Sequence, residues 1–179
     1  MAYRLSSIER ASPVVLRDGS TVHLRRVLPQ DTAEMLRFLK GLSARSVYLR
    51  LCCGGPNLVA VAHELTEVGS HRRGVVAVGA RGEIVAHAEY VLISAETAEV
   101  AVVVCDSIQG QGLATPLIRY LADDARGDGI ERFVAEVLPM NRAMLSVFRR
   151  GFGASVIDSD TICEVKFGIT TPVGDCVAA

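Results

Sequence analysis

The sequence predicts a mixed α/β domain, and three observations carry that expectation. Strand-like apolar runs at Val75–Val78, Glu83–Leu92 and Ala98–Val104 follow one another with no helical interval between them. Leu113, Leu117, Leu121 and Ala125 then recur every four residues, the spacing of one helix face. A further strand-like run, Arg132–Val137, comes after that helix, so the two strands flanking the crossover are expected to lie parallel.

Each element has its own local signal. Asp18-Gly19-Ser20 separates the β-prone runs Val14–Arg17 and Thr21–Arg25, and Asp-Gly in such a place is a hairpin turn. Pro29-Gln30-Asp31 opens a segment with Ala33, Leu36, Phe38, Leu39 and Leu42 at near-helical spacing, punctuated by Gly41 and Ser43. Ser43 is placed to cap a short helix through Tyr48, and Asn57 to cap another through Leu65. A turn at Arg81-Gly82 makes a hairpin of the first two central strands, and two of the three central runs are nearly all apolar, as expected of strands covered on both faces. The four-residue repeat ends near Gly127 or Gly129; a helix over Asn141–Arg150 and a strand pair, Ala154–Ile157 and Thr161–Ile169, complete the order.

The composition sets bounds on what this chain does. With 179 residues, 50% apolar and 22% charged, one well-cored domain over residues 14–169 is expected, between a flexible start (1–13) and a flexible tail (170–179). A net charge of -1 makes no electrostatic case for nucleic acid or an anionic membrane. Met1 to Ala11 lacks the apolar run of a signal peptide, and no stretch approaches the roughly 20 apolar residues of a bilayer span. Cys52, Cys53, Cys105, Cys163 and Cys176 are odd in number and lack metal-type spacing, so reduced thiols in a cytoplasmic protein are expected. His23, His63, His71 and His87 show no ligand spacing, and no metal is expected.

The chemistry concentrates between Val102 and Thr115. An apolar strand runs into a glycine-containing turn and straight on into a helix, which gathers unpaired backbone N–H groups and the positive end of the helix dipole at one point. Such a nest suits a pyrophosphate, and Gly110 and Gly112 let the backbone approach it closely. The same description covers nucleotide binders, although GxGxxG and GxxxxGK are both absent.

Gln109-Gly110-Gln111-Gly112-Leu113-Ala114 resembles the Q/R-x-x-G-x-G/A signature of the GNAT acetyltransferases. Leu138–Leu145 followed by Gly151-Phe152 is similar to that family's second cofactor element. The Arg17–Ser20 hairpin and Leu42–Arg50 resemble its bacterial Pat-like protein lysine acetyltransferase branch. The resemblance implies a mixed, mostly antiparallel sheet with two splayed parallel strands, flanking helices, and acetyl-CoA lying in the opening between the strands. Backbone groups of Val102, Val103 and Val104 would hold the pantetheine arm and polarise the thioester oxygen. Backbone N–H groups from Gln111 to Thr115 (Gln111, Gly112, Leu113, Ala114, Thr115) would hold the pyrophosphate, Gln109 and Gly110 would complete the cofactor-binding turn, and Asn141 would hold the arm from the opposite side.

The resemblance also implies an amine acceptor, a protein lysine in the Pat-like branch, with a small-molecule amine as the enzymatic rival. Glu99 matches the family's glutamate base, with Glu89 on the neighbouring strand as a second candidate; for either, a solvated strand face is the plain alternative. Phe148 stands beside the cofactor where many members carry a tyrosine that protonates the leaving thiolate, which leaves that task to water or Ser146. Gln111 replaces a frequent arginine and removes a charge near the phosphates. These two departures keep a non-catalytic acyl-CoA-binding module as a third reading, and a monomer and a homodimer are both compatible with the pattern.

The remaining polar residues have plain alternatives too. His87 is weighed as a structural histidine or one facing the acceptor, and Cys105 as a buried structural thiol. His71-Arg72-Arg73 reads as a solvated basic loop or a phosphate contact. Tyr48 and Arg50 read as packing or as part of the acceptor pocket.

Overall fold

The computed structural model describes residues 12–170. In chain order the elements are β1 (Ser12–Val15), β2 (Thr21–Arg26), a 3-10 turn at Pro29–Asp31, α1 (Thr32–Gly41), α2 (Ala44–Leu51), α3 (Leu58–Leu65), β3 (Arg72–Val78), β4 (Ile84–Leu92), β5 (Thr97–Val104), a second 3-10 turn at Asp106–Ile108, α4 (Ala114–Gly127), β6 (Arg132–Val137), α5 (Arg142–Phe152), β7 (Ser155–Ile157) and β8 (Cys163–Gly168). One sheet orders its strands β1-β2-β3-β4-β5-β6-β8-β7. Every neighbouring pair is antiparallel except β5 and β6. The mixed α/β expectation and the parallel crossover pair are both met.

Local chemistry explains most boundaries. Leu16 N–H donates to Ser20 C=O (2.8 Å) across the first hairpin, and Gly19 takes φ +86°, where a side chain would be strained. The Ser43 hydroxyl caps α2 by accepting Ser46 N–H (3.2 Å), and Asn57 Oδ1 caps α3 through Val59 N–H (3.1 Å). Some boundaries differ from expectation, and two of them have a clear physical cause. β1 begins at Ser12, because Ser12 and Pro13 pair with Leu24 and His23, and an edge strand tolerates proline. α2 runs three residues past Tyr48, to a Cys52 held at φ 53° as its left-handed cap.

The helices divide between the two faces of the sheet. Leu113, Leu117, Ile118, Leu121 and Phe148 are fully buried with Phe133 and Val165 under α4 and α5. Each such side chain contributes about 1.5–3 kcal/mol relative to exposure. On the other face, Met35, Phe38, Leu39, Ala62 and Leu65 of α1 and α3 cover Val76, Ile84 and Val103. Met35 was not among the expected core positions of α1, although it is wholly buried. No helix among the described residues is long and apolar enough to cross a membrane.

Candidate active site

The site begins where two strands part. β5 and β6 pair only at Thr97↔Arg132, Ala98↔Phe133 and Glu99↔Val134. β5 continues to Val104 and β6 to Val137, so the strands diverge from Glu99 onward and leave a gap in the middle of the sheet. Cys105 N–H donates to Val85 C=O (2.9 Å), which fixes the alternation of the antiparallel ladder on the other side of β5. By that alternation the backbone groups of Val103 turn to His87 on β4, while those of Val102 and Val104 face the gap. Val103 therefore differs from its expected role: its backbone is committed to the ladder, and its side chain packs under α1 and α3.

A cleft of about 360 Å³ occupies the gap and reaches the glycine turn. Its walls include Val102–Val104, Gln109, Gly110, Gly112, Leu113, Ala114, Thr115, Asn141 and Ser146. Gly110 and Gly112 sit at φ +78° and +90°. The first backbone bond of α4 runs from Leu117 N–H to Leu113 C=O (3.3 Å), and Pro116 has no N–H to offer. Leu113, Ala114 and Thr115 thus present N–H groups without intrahelical acceptors at the positive end of α4. An anion-binding turn beside a strand with free backbone groups fits the pyrophosphate and amide-bearing arm of an acyl-CoA.

Two expected cofactor residues turn out to spend side-chain atoms within the protein. Gln109 Nε2 donates to Val104 C=O and to the Ser46 hydroxyl (both 3.0 Å), so its amide fastens the turn to β5 and α2. Asn141 Oδ1 caps α5 by accepting Met144 N–H (3.3 Å), leaving its NH2 group as the donor toward the cleft. Gln111 has no side chain among the cleft walls. Asp106 adds a second fastening: it accepts the hydroxyls of Ser43 and Ser46 (2.7 Å each) and Ser43 N–H (2.9 Å). The Ser43 hydroxyl foremost holds the Asp106 carboxyl below its ordinary range.

A second cavity, about 270 Å³, adjoins the first, and the two share Leu49, Arg50, Val102, Asn141 and Met144. Its walls bring together Glu99, Glu136, Arg50 and Cys52, with Phe148 behind them. Glu99 pairs with Val134, and Glu136 lies two residues beyond Val134, so both carboxylates stand on the same face. Both are exposed. Burial, then the Glu136 carboxylate, pushes the Cys52 thiol up; Glu99 adds to the effect and Arg50 opposes it. Phe148 is almost wholly buried and packs against Phe167 at 5.5 Å and Phe152 at 6.5 Å, so it is a core ring that also backs this second cavity. Ser146, unlike Phe148, lines the cofactor cleft.

Other candidates lie elsewhere. Glu89 is buried and ion-paired with Arg50 and with Arg72 Nε (3.4 Å). Arg72 also holds Glu64 (2.7 Å), and Arg73 reaches Asp128 (3.4 Å), so the basic patch is spent on ion pairs. His87 is fully buried, lines neither cavity, and neither ring nitrogen has a hydrogen-bond partner among the described residues. Burial, then Arg50 and Arg72, holds it well below the ordinary histidine range. Cys52, Cys53, Cys105 and Cys163 are free thiols, and Cys176 lies outside the described residues. Among the described residues no group of three or more His, Cys, Asp or Glu could hold a metal.

The family model for the acetyltransferase (GNAT) family matches residues 43–153. The chain is 34% identical over 151 residues to acetyltransferase Pat of Mycolicibacterium smegmatis, which covers 82% of this chain and 45% of that protein. Among solved structures, the GNAT domain of S. lividans PAT superposes with a TM-score of 0.82 at 33% identity, covering 88% of this chain and 96% of that one. A cAMP-binding acyltransferase from Mycobacterium smegmatis gives 0.65 at 28% identity, covering 98% of this chain and 52% of that one. The chain spans about half the length of these mycobacterial proteins. On the matched family model, the identity to Pat and the strand–turn–helix that opens the cleft, the chain belongs to the GNAT acetyltransferase family.

Proposed function

We propose that this protein is an acetyl-CoA-dependent N-acetyltransferase whose acceptor is a primary amine, a protein lysine in particular, with Glu99 as general base. The observation that carries the reading is the parting of β5 and β6 after Glu99, which makes one continuous opening from the glycine turn to that carboxylate. The acetyl thioester supplies the acyl group. Leu113, Ala114 and Thr115 N–H groups bind the pyrophosphate, and the gap-facing groups of Val102 orient the arm. A lysine amine has a reference pKa of about 10.4 and arrives protonated. Glu99, directly or through a water, takes that proton, and Glu136 on the same face adds negative charge that favours a cationic acceptor. Phe148 has no hydroxyl, so the departing thiolate takes its proton from water or from Ser146.

The lysine acceptor rests on the relatedness to Pat, and a small-molecule amine remains the rival within the same chemistry. The test is CoA release from acetyl-CoA with a panel of proteins, acyl-CoA synthetases included, and small amines, for wild type and Glu99→Gln. We expect Glu99→Gln to lose roughly 10²–10⁴-fold in turnover while still binding acetyl-CoA by calorimetry. The best acceptor names the substrate class. Binding without release from any amine would replace the enzyme with an acyl-CoA sensor, and no binding would sink the assignment of the glycine turn.

A further inference from the structure

We propose that Arg17, on the turn between β1 and β2, supplies the cation that binds the pyrophosphate of acyl-CoA. The inference rests on the acyl-CoA reading above and adds a residue from outside the matched segment 43–153. The glycine turn itself, Gln109 to Ala114, carries no charged side chain, so its N–H groups offer a pyrophosphate only partial charges. The charged residues lining the cleft are Arg17 and Arg50. Arg50 is committed to Glu89. Arg17 makes no ion pair among the described residues.

Its position is fixed by bonds that span the sequence. Arg17 Nη1 donates to Gly110 C=O (3.0 Å), and Arg17 N–H donates to Gln111 C=O (3.2 Å). Arg17 Nε lies 3.7 Å from where a Cβ on Gly112 would stand, so the guanidinium rides against the bare backbone of the turn. The neighbouring carboxylate does not compete: Asp18 accepts the Ser20 hydroxyl (2.6 Å) and Ser20 N–H (2.9 Å) within the hairpin. One Arg17 donor is spent on Gly110, and the rest of its five-donor fork is free for phosphate oxygens beside the N–H groups of α4. The hairpin thus brings a charge to the place where Gln111 brings none.

The test compares acetyl-CoA with acetyl-pantetheine, which has the thioester arm and no phosphates, on wild type, Arg17→Gln and Arg17→Lys. Binding is read by calorimetry at two salt concentrations, with thermal melts as a fold check. We expect Arg17→Gln to weaken acetyl-CoA roughly tenfold and to flatten its salt dependence. Arg17→Lys should recover most of the loss, and acetyl-pantetheine should bind all three proteins alike. Equal weakening of acetyl-pantetheine, no loss in Arg17→Gln, or an Arg17→Lys as weak as Arg17→Gln would overturn the proposal. If wild type itself binds no acetyl-CoA, the parent reading fails and this one with it; if only the variants behave alike, the parent reading stands.

Discussion

Replacing Glu89 by leucine removes the carboxylate that neutralises two guanidiniums. Glu89 is 5% exposed, and its partners Arg50 and Arg72 have side chains 11% and 22% exposed. Arg50 Nε already lacks a hydrogen-bond partner. Leaving a buried charge unpaired costs about 3–5 kcal/mol, far more than the intact pair contributes over an apolar replacement. In a domain this size such a loss lowers Tm by roughly 6 to 20 °C. The double variant Arg50→Met with Glu89→Leu should recover most of it, because the desolvation cost leaves with the charges, while Arg72 keeps Glu64. Urea unfolding of wild type, both singles and the double gives the coupling energy directly. A Glu89→Leu cost below about 1 kcal/mol, as for a solvated surface pair, would refute the reasoning, and so would a double variant no more stable than Glu89→Leu. The same commitment favours Glu99 over Glu89 as the proposed base: a carboxylate clamped by two guanidiniums is less free to relieve an incoming ammonium, whereas Glu99 makes no ion pair among the described residues.

Two further outcomes are expected. His87 is held well below its ordinary range in the fold, while the unfolded chain takes its proton near pH 6.5. The unfolded state therefore binds more protons below that pH, and stability present above about pH 6.5 is lost as pH falls, by up to about 1.4 kcal/mol per unit. The groups facing it are Arg50 and Arg72 with their shared partner Glu89. Thermal melts of His87→Leu from pH 8 to 5 should show a shallower acid-side decline than wild type. Gly112→Ala should cost about 1–3 kcal/mol by forcing a side chain to φ +90°, and should weaken acetyl-CoA as the turn shifts; urea unfolding and calorimetry on the same protein check both.

Wherever the determining interaction is local, the sequence by itself determined the outcome. Asp18-Gly19 specified the hairpin, Ser43 and Asn57 specified helix starts through bonds to N–H groups two or three residues on, and the repeat from Leu113 to Ala125 specified which face of α4 is buried. The glycine turn was legible because its requirement is also local: positive φ, and N–H groups with no acceptor at a helix start. The tertiary structure decided what depends on residues meeting from far along the chain. Arg17 and Gly110 are 93 residues apart, Arg50 and Glu89 are 39, and Gln109 and Ser46 are 63. No spacing rule reveals such partners, so the sequence showed Arg17 only as a hairpin residue, and showed neither the ion pairs of Glu89 nor the side-chain bonds of Gln109. The gap at the site is of the same kind. The apolar runs of β5 and β6 foretold two parallel strands, but their parting after Glu99 follows from β5 being held by β4 and β6 by β8, each pairing along its length with a partner that the other does not touch.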